Sequence, residues 1–140
     1  MTLRPSGMIL DCTDPELLAG FWTELLGWQV TFRRGPYVAI SRTDDFDDAS
    51  WLFQRVDAPK TTKNRWHPDF RVTGAFEAAI RRIEEAGGKR VPGYESGGFL
   101  VMCDPEGNEF CLIPDGVSIG MDEDGNAHYL DGELAHLKEA

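Results

Sequence analysis

Positive charge is scarce in this sequence. Across 140 residues, 14 lysines and arginines stand against 24 aspartates and glutamates, a formal net charge of −10 at pH 7. Nucleic acid needs a basic footprint, so this balance excludes it as the natural partner, and anionic membrane surfaces with it. Cysteine is scarce too. Cys12, Cys103 and Cys111 make an odd count and form no CxxC pair. A disulfide framework is therefore not expected, and a reducing cytoplasm is the expected compartment. No apolar run approaches the length of a membrane span, and the opening MTLRPSGMILDCTDP has no signal-peptide core. Acidity of this kind speaks for solubility and names no partner. The remaining composition, 41% hydrophobic and 27% charged, suits one globular domain with a sizeable core.

Taken in order, the chain shows one unit twice. Residues 8–12 (MILDC) read as a strand. Asp14 and Pro15 then provide an N-cap and a first helical residue. Leu17, Leu18, Phe21, Trp22, Leu25 and Leu26 follow at the spacing of one broad apolar helix face, and Gly27 stops the helix. Strands are predicted at 28–33, 37–41 and 51–56. A polar connector, 57–64 (DAPKTTKN), carries no periodicity. The pattern then restarts with a strand at 66–72, which Pro68 marks as an edge or strand-start position. Thr73 is the predicted cap of a helix whose apolar face is Phe76, Ala79, Ile80, Ile83 and Ala86, closed by Gly87-Gly88. Residues 89–92 form a short strand, and 94–98 a loop.

The second half ends on FLVMCDPEGNEFCLI, two apolar runs around Asp104-Pro105-Glu106-Gly107-Asn108. Pro105 pre-sets φ at the first corner, Gly107 accepts positive φ, and Asp104 and Asn108 can bond their own backbone. A β-hairpin with a loop of about five residues is predicted. Its second strand places Glu109 and Cys111 on one face, Phe110 and Leu112 on the other. The order strand, helix, strand, strand, strand thus occurs twice, offset by roughly 60 residues, as in an internal duplication. Each amphipathic helix needs a sheet to cover, which leaves the other sheet face free to line a concave surface.

LDCTDPELLAGFWTELLGW, the combination FQRV…PKTTKNRWHPDF and the final DPEGNEFCLI resemble the vicinal oxygen chelate superfamily, the glyoxalase, bleomycin-resistance and extradiol-dioxygenase group. Within it the chain is similar to actinobacterial glyoxalase-like domain proteins. The resemblance covers about residues 6–115. It implies an α+β fold of two βαβββ modules forming a curved mixed sheet. The expected organisation is a single domain over 1–140: module one about 6–56, connector 57–64, module two 65–115 and a C-terminal extension 116–140.

Metal-using members of that superfamily place ligands on the first, fourth, fifth and eighth strands. By resemblance these positions fall on Gly7, Gln54, His67 and Cys111. His67 is the only strong candidate ligand among them, because glycine offers no side chain and cysteine suits a soft metal, not Mg²⁺, Mn²⁺ or Fe²⁺. Asp69 and Asp11 are the residues that could substitute. A catalytic metal needs about three good protein ligands, so no metal cofactor is expected.

Other residues allow two readings. His67, Asp69 and Arg71 alternate onto one strand face, where they either orient a ligand or form a structural network that pairs Arg71 with Asp11. Phe32, Trp51, Phe53, Trp66, Phe70, Tyr94 and Phe99 either line an aromatic pocket or fill the core, with about half expected in each role. Cys111 lacks a basic neighbour in sequence and reads as an inert thiol. The segment 122–133 (DEDGNAHYLDGE) has acidic residues at the first, third and twelfth places of a calcium loop but Ala127 where glycine belongs. It reads instead as a hairpin turned at Asp124-Gly125, followed by a short helix over 132–138.

The expected protein is a cytoplasmic homodimer that binds a small aromatic or amphipathic molecule in a concave pocket, without the usual divalent metal. Its expected ligand-binding residues are Gln54, His67, Asp69, Cys111, Trp51, Phe53 and Trp66. The alternative is a metal-dependent lyase, isomerase or dioxygenase that uses His67 with non-standard ligands.

Overall fold

The structure, a computed structural model, describes residues 1–44, 49–92, 100–114, 119–121 and 127–129. Tyr94, Phe99 and the helix expected over 132–138 lie outside these residues.

Two compact units divide the chain. The first comprises residues 1–62 together with 104–107, the second 63–103 with 108–140. In the first, β1 (Gly7–Cys12), α1 (Pro15–Leu26), β2 (Gln29–Arg34), β3 (Tyr37–Ser41) and β4 (Ser50–Arg55) follow one another. The sheet order is β1-β4-β3-β2, with β1 parallel to β4 and the other pairs antiparallel. Helix α1 starts where its capping chemistry places it. Asp14 accepts the Leu17 amide at 3.1 Å and Pro15 follows, while at the other end the Gly27 amide donates to the Thr23 carbonyl. Leu18, Ala19, Phe21 and Trp22 are buried, but Leu17, expected on the apolar face, is 48% exposed. The inward stripe is therefore narrower than the sequence spacing suggests. Ile40 and Phe53 are fully buried, and Trp22 meets Trp51 edge-on at 5.2 Å.

The second unit repeats this topology. It contains β5 (Asp69–Val72), α2 (Phe76–Ala86), β6 (Lys89–Arg90), β7 (Leu100–Cys103) and β8 (Glu109–Pro114), in sheet order β5-β8-β7-β6 with β5 parallel to β8. Matching strand orders in both units are what the predicted duplication requires. A separate antiparallel pair is formed by β9 (Ile119–Met121) and β10 (Ala127–Tyr129); the turn predicted at Asp124-Gly125 lies outside the described residues. This α+β pair of four-stranded mixed sheets is the expected fold class.

Two expectations in this unit are corrected. The strand expected at 66–72 begins at Asp69. Pro68 has no N–H to give a ladder, and only its carbonyl joins, accepting from the Cys111 amide at 2.9 Å. Helix α2 is capped at Ala75 without a side-chain hydrogen bond, not at Thr73, because Gly74 takes φ +91° between them.

The loop between β7 and β8 has the predicted five residues, and it does more than turn the chain. Residues 104–107 belong to the first unit. The Gly107 amide, at φ +86°, closes the turn on the Asp104 carbonyl at 2.9 Å, and the Asp104 carboxylate takes the Glu106 amide. Asp104 is 2% exposed, and its other oxygen accepts from the Trp22 indole at 3.4 Å. Glu106 then receives the Thr13 amide (2.6 Å), the Thr13 hydroxyl (2.9 Å) and the Asp14 amide (2.9 Å). A carboxylate 93 positions away thus serves amides at the entry to α1, where negative charge is favourable.

Glu106→Ala should lose about 2–3 kcal/mol of unfolding free energy, given three hydrogen bonds to a charged acceptor, with Glu106→Gln losing less. Urea unfolding checks this; a change of Glu106→Ala within about 0.5 kcal/mol, the range of ordinary surface substitutions, contradicts it.

Candidate functional site

The register that pairs β5 with β8 sets Asp69 beside Cys111. Strand alternation keeps Phe70, Phe110 and Leu112 on the opposite face, where Phe70 and Phe110 meet at 5.9 Å. The chain entering β5 brings His67 alongside. His67 Nδ1 lies 3.7 Å from Cys111 Sγ and 3.8 Å from Asp69 Oδ1, and the three donor atoms all fall within 4.8 Å of one another. Among the described residues this is the group whose donors could hold one metal ion. The imidazole and carboxylate are exposed and the thiol is buried. Nearby, the Glu109 carboxylate accepts the Asn64 amide at 3.0 Å and holds the end of the connector against β8.

Burial, and then the Asp69 carboxylate, push the Cys111 thiol up to about 11, with Lys63 opposing. At neutral pH it is protonated and a poor nucleophile, as its sequence surroundings suggested. Cys12 is raised further, to about 12, by burial and by the acidic groups Glu106, Asp104, Asp11 and Asp14.

The donor set can be tested against a metal. A tetrahedral zinc with bonds of about 2.0–2.3 Å places its donors roughly 3.4–3.6 Å apart. The observed 3.7 and 3.8 Å separations lie close to that, so a borderline-soft ion such as Zn²⁺ fits with small adjustments. An all-oxygen octahedron of the Mg²⁺ or Mn²⁺ kind does not fit a site with thiol and imidazole donors.

The first unit holds the other positions singled out in the sequence. A side chain on Gly7 would meet the Ser50 carbonyl oxygen at 2.5 Å from its Cβ. Close approach of β1 to β4 thus excludes any ligand there, apart from glycine's having none to offer. Gln54 is half-buried on β4, opposite Asp11 and Tyr37. Trp51 and Phe53 occupy the face that α1 covers: Trp51 packs against Trp22 and Trp28, and Phe53 is fully buried. Both serve the helix–sheet core. Trp66, by contrast, is 91% exposed. Of the aromatic residues considered, Phe32 is also exposed. Arg71 donates to the Pro114 carbonyl at 3.5 Å, and β1 and β5, which carry Asp11 and Arg71, belong to different sheets.

On the helix-free face of the first sheet, the register lines Ile9, Leu52, Ala39 and Phe32 into one apolar row across all four strands. Ile9 is 64% and Phe32 47% exposed. The adjoining row, Asp11, Gln54, Tyr37 and Arg34, is polar. This arrangement was not visible in any single strand, because it exists only once the register is set.

The profile of the glyoxalase-like domain family matches residues 7–113. The chain belongs to that family. No curated protein matches it. Solved structures of glyoxalase-like proteins share the fold at low identity. A glyoxalase-related enzyme from Fulvimarina pelagi is similar at 18% identity and TM-score 0.59, over 92% of this chain and 100% of that one. A glyoxalase/bleomycin resistance protein/dioxygenase family enzyme from Burkholderia phytofirmans is similar at 17% identity and TM-score 0.62, over 79% and 98%. A variant of the fosfomycin resistance protein FosX from Listeria monocytogenes, complexed with Mn(II) and 1S,2S-dihydroxypropylphosphonic acid, is similar at 14% and TM-score 0.63, over 81% and 90%. The vicinal oxygen chelate fold expected from the sequence is therefore that of this glyoxalase-like protein.

Two outcomes follow for its side chains. In a variant whose other two cysteines are serine, Cys111 should alkylate about a hundredfold more slowly at pH 7.5 than a thiol with pKa 9.0, accelerating roughly tenfold per pH unit up to about 11. Fast modification near neutrality, measured by mass spectrometry, contradicts the burial of the thiol. The sign carries over to stability: the folded state favours the protonated thiol, so support present below pH 9 is lost as pH rises towards 11. Gly7→His, which supplies a ligand at the superfamily position, should destabilise the fold by about 1–3 kcal/mol from overpacking. A gain in Mn(II) affinity with unchanged stability runs against the close approach of β1 and β4.

Proposed function

We propose that this glyoxalase-like protein binds a small aromatic or amphipathic molecule and does so without a hard divalent metal. The observation that carries the reading is the apolar row Ile9–Leu52–Ala39–Phe32, exposed at its two ends Ile9 and Phe32, with its polar neighbour row. A flat ligand covering Ile9 and Phe32 removes apolar surface from water, worth about 25 cal/mol per Å². Gln54, half-buried in the polar row, supplies a donor and an acceptor to the ligand's polar edge. Within the second unit, Trp66 offers an exposed stacking surface, and His67 and Asp69 offer hydrogen-bonding groups of their own. Cys111 stays protonated beside them and performs no nucleophilic attack. The protein acts as one domain over residues 1–140, as a homodimer in the reducing cytoplasm; its three cysteines are free thiols, as that compartment favours.

A second reading is favoured by the donor spacing at His67, Asp69 and Cys111. These residues would hold a zinc-like ion with one position open, and the ion would polarise an oxygen of the substrate, as in a lyase or isomerase. In that reading Cys111 gives up its proton on loading, so metal affinity rises with pH.

Binding of a naphthalenesulfonate probe, followed by tryptophan fluorescence, separates the outcomes when paired with metal analysis of protein purified without chelator or tag. The first reading expects saturable binding to metal-free protein, weakened about tenfold or more by Phe32→Ser or Ile9→Ser, the loss of roughly 1.4 kcal/mol or more of apolar contact. Binding unchanged in both variants overturns it. Stoichiometric zinc that is lost in His67→Ala transfers preference to the second reading.

A further inference from the structure

Polar rows flank the apolar row of the first sheet's helix-free face on both sides, and their side chains are used differently. One runs through Ser41 and Gln29. Ser41 is buried and donates to the Thr43 carbonyl at 2.6 Å, while the Gln29 amide donates to the Asp44 carboxylate at 3.1 Å. The other is the row Asp11, Gln54, Tyr37 and Arg34. Its four side chains make no hydrogen bond or ion pair among the described residues.

Asp11 and Arg34 are the charged residues of these rows, and they stand at opposite edges of the sheet, on β1 and β2. Three steps between strands, each about 4.8 Å, set their backbones roughly 14 Å apart. Both side chains are exposed, whereas Gln54 and Tyr37 between them are half-buried and neutral. Arg33 provides the contrast. It precedes Arg34 on β2 but lies on the opposite face, and Glu16 engages it at 2.8 Å. The helix-free face therefore carries a negative pole, a neutral middle and a positive pole. These run alongside an apolar strip whose ends, Ile9 and Phe32, are open to solvent.

We propose, resting on the reading of this face as the ligand surface, that it selects an elongated zwitterion, with its cationic group at Asp11 and its anionic group at Arg34. A cationic ligand leaves Arg34 unmatched, and an anionic one leaves Asp11 unmatched; a zwitterion complements both. The guanidinium fork suits a carboxylate at the β2 edge, and the Asp11 carboxylate accepts from an ammonium at the β1 edge. The apolar body spans the strip between them.

Isothermal titration of the full chain at low ionic strength tests this with four biphenyls. One carries a hydroxymethyl group, one an aminomethyl group, one a carboxylate, and one an aminomethyl group and a carboxylate at opposite ends. The last should bind tightest, each charge adding about fivefold, the upper end of what an exposed ion pair contributes. Asp11→Asn should remove the gain from the amine and keep that from the carboxylate, and Arg34→Gln should do the reverse. Arg81→Gln, at an exposed position on α2, should change neither. Circular dichroism checks that the variants stay folded. The gain should shrink at about 1 M salt, where screening acts within roughly 3 Å. Biphenylalanine, with both charges at one end, should lack it. Equal affinity for all four biphenyls, an equal gain in biphenylalanine, or a gain that survives both variants overturns the zwitterion and leaves the ligand surface standing. Failure of all four to bind overturns both.

Discussion

The Glu106 carboxylate at the entrance of α1 is the interaction on which the first unit's order rests. It takes two backbone amides and one hydroxyl from Thr13 and Asp14. Those amides belong to a chain leaving β1, where no regular partner exists for them, and the carboxylate meets them at the start of α1, where negative charge is favourable. Asp104 reinforces the arrangement by fixing the Glu106 amide and reaching the Trp22 indole. Trp22 in turn packs on Trp51 of β4. One short turn thereby governs the start of the helix, the helix–sheet aromatic contact and the position of β4. A Gly107 with positive φ is what permits the turn.

Much of this architecture was legible in the sequence. Capping at Asp14-Pro15, the helix-ending Gly27 and the five-residue DPEGN loop each leave a local signal that tertiary context did not override. The strand orders β1-β4-β3-β2 and β5-β8-β7-β6 make the duplication visible as topology, although the two halves share little residue identity. Local signals failed where a neighbour decided the outcome. Thr73 is a good capping residue, but Gly74 turns the chain before α2 can begin. Leu17 fits the helical spacing, yet the sheet covers a narrower stripe than the spacing allows. The role of Glu106 had no sequence signal, since its partners lie more than ninety positions away.

The candidate site was half legible. His67 and Cys111 were placed by resemblance, and the structure brings them to 3.7 Å. Asp69 joins them through register, because β5 starts one residue after Pro68 and pairs Asp69 with Cys111. Trp51 and Phe53 went to the core because strand alternation places both on the side α1 covers. The apolar row through Ile9, Leu52, Ala39 and Phe32 needed four registers at once, which no pattern within a single strand supplies.

These details make a consistent physical case about metal use. Backbone contact with Ser50 closes the Gly7 position to any side chain. The remaining donors at Cys111 and His67 are soft or borderline, and the thiol is held protonated by burial and by Asp69. A structure of similar fold, FosX, was solved with Mn(II), an ion that favours oxygen donors over the thiol and imidazole grouped here. The most direct measurement is a titration of Mn(II) into the protein at neutral pH, following the free aqueous ion by electron paramagnetic resonance. The account predicts that the free-ion signal grows in proportion to added Mn(II), as in buffer alone. Stoichiometric depletion of that signal, abolished by His67→Ala, would contradict it.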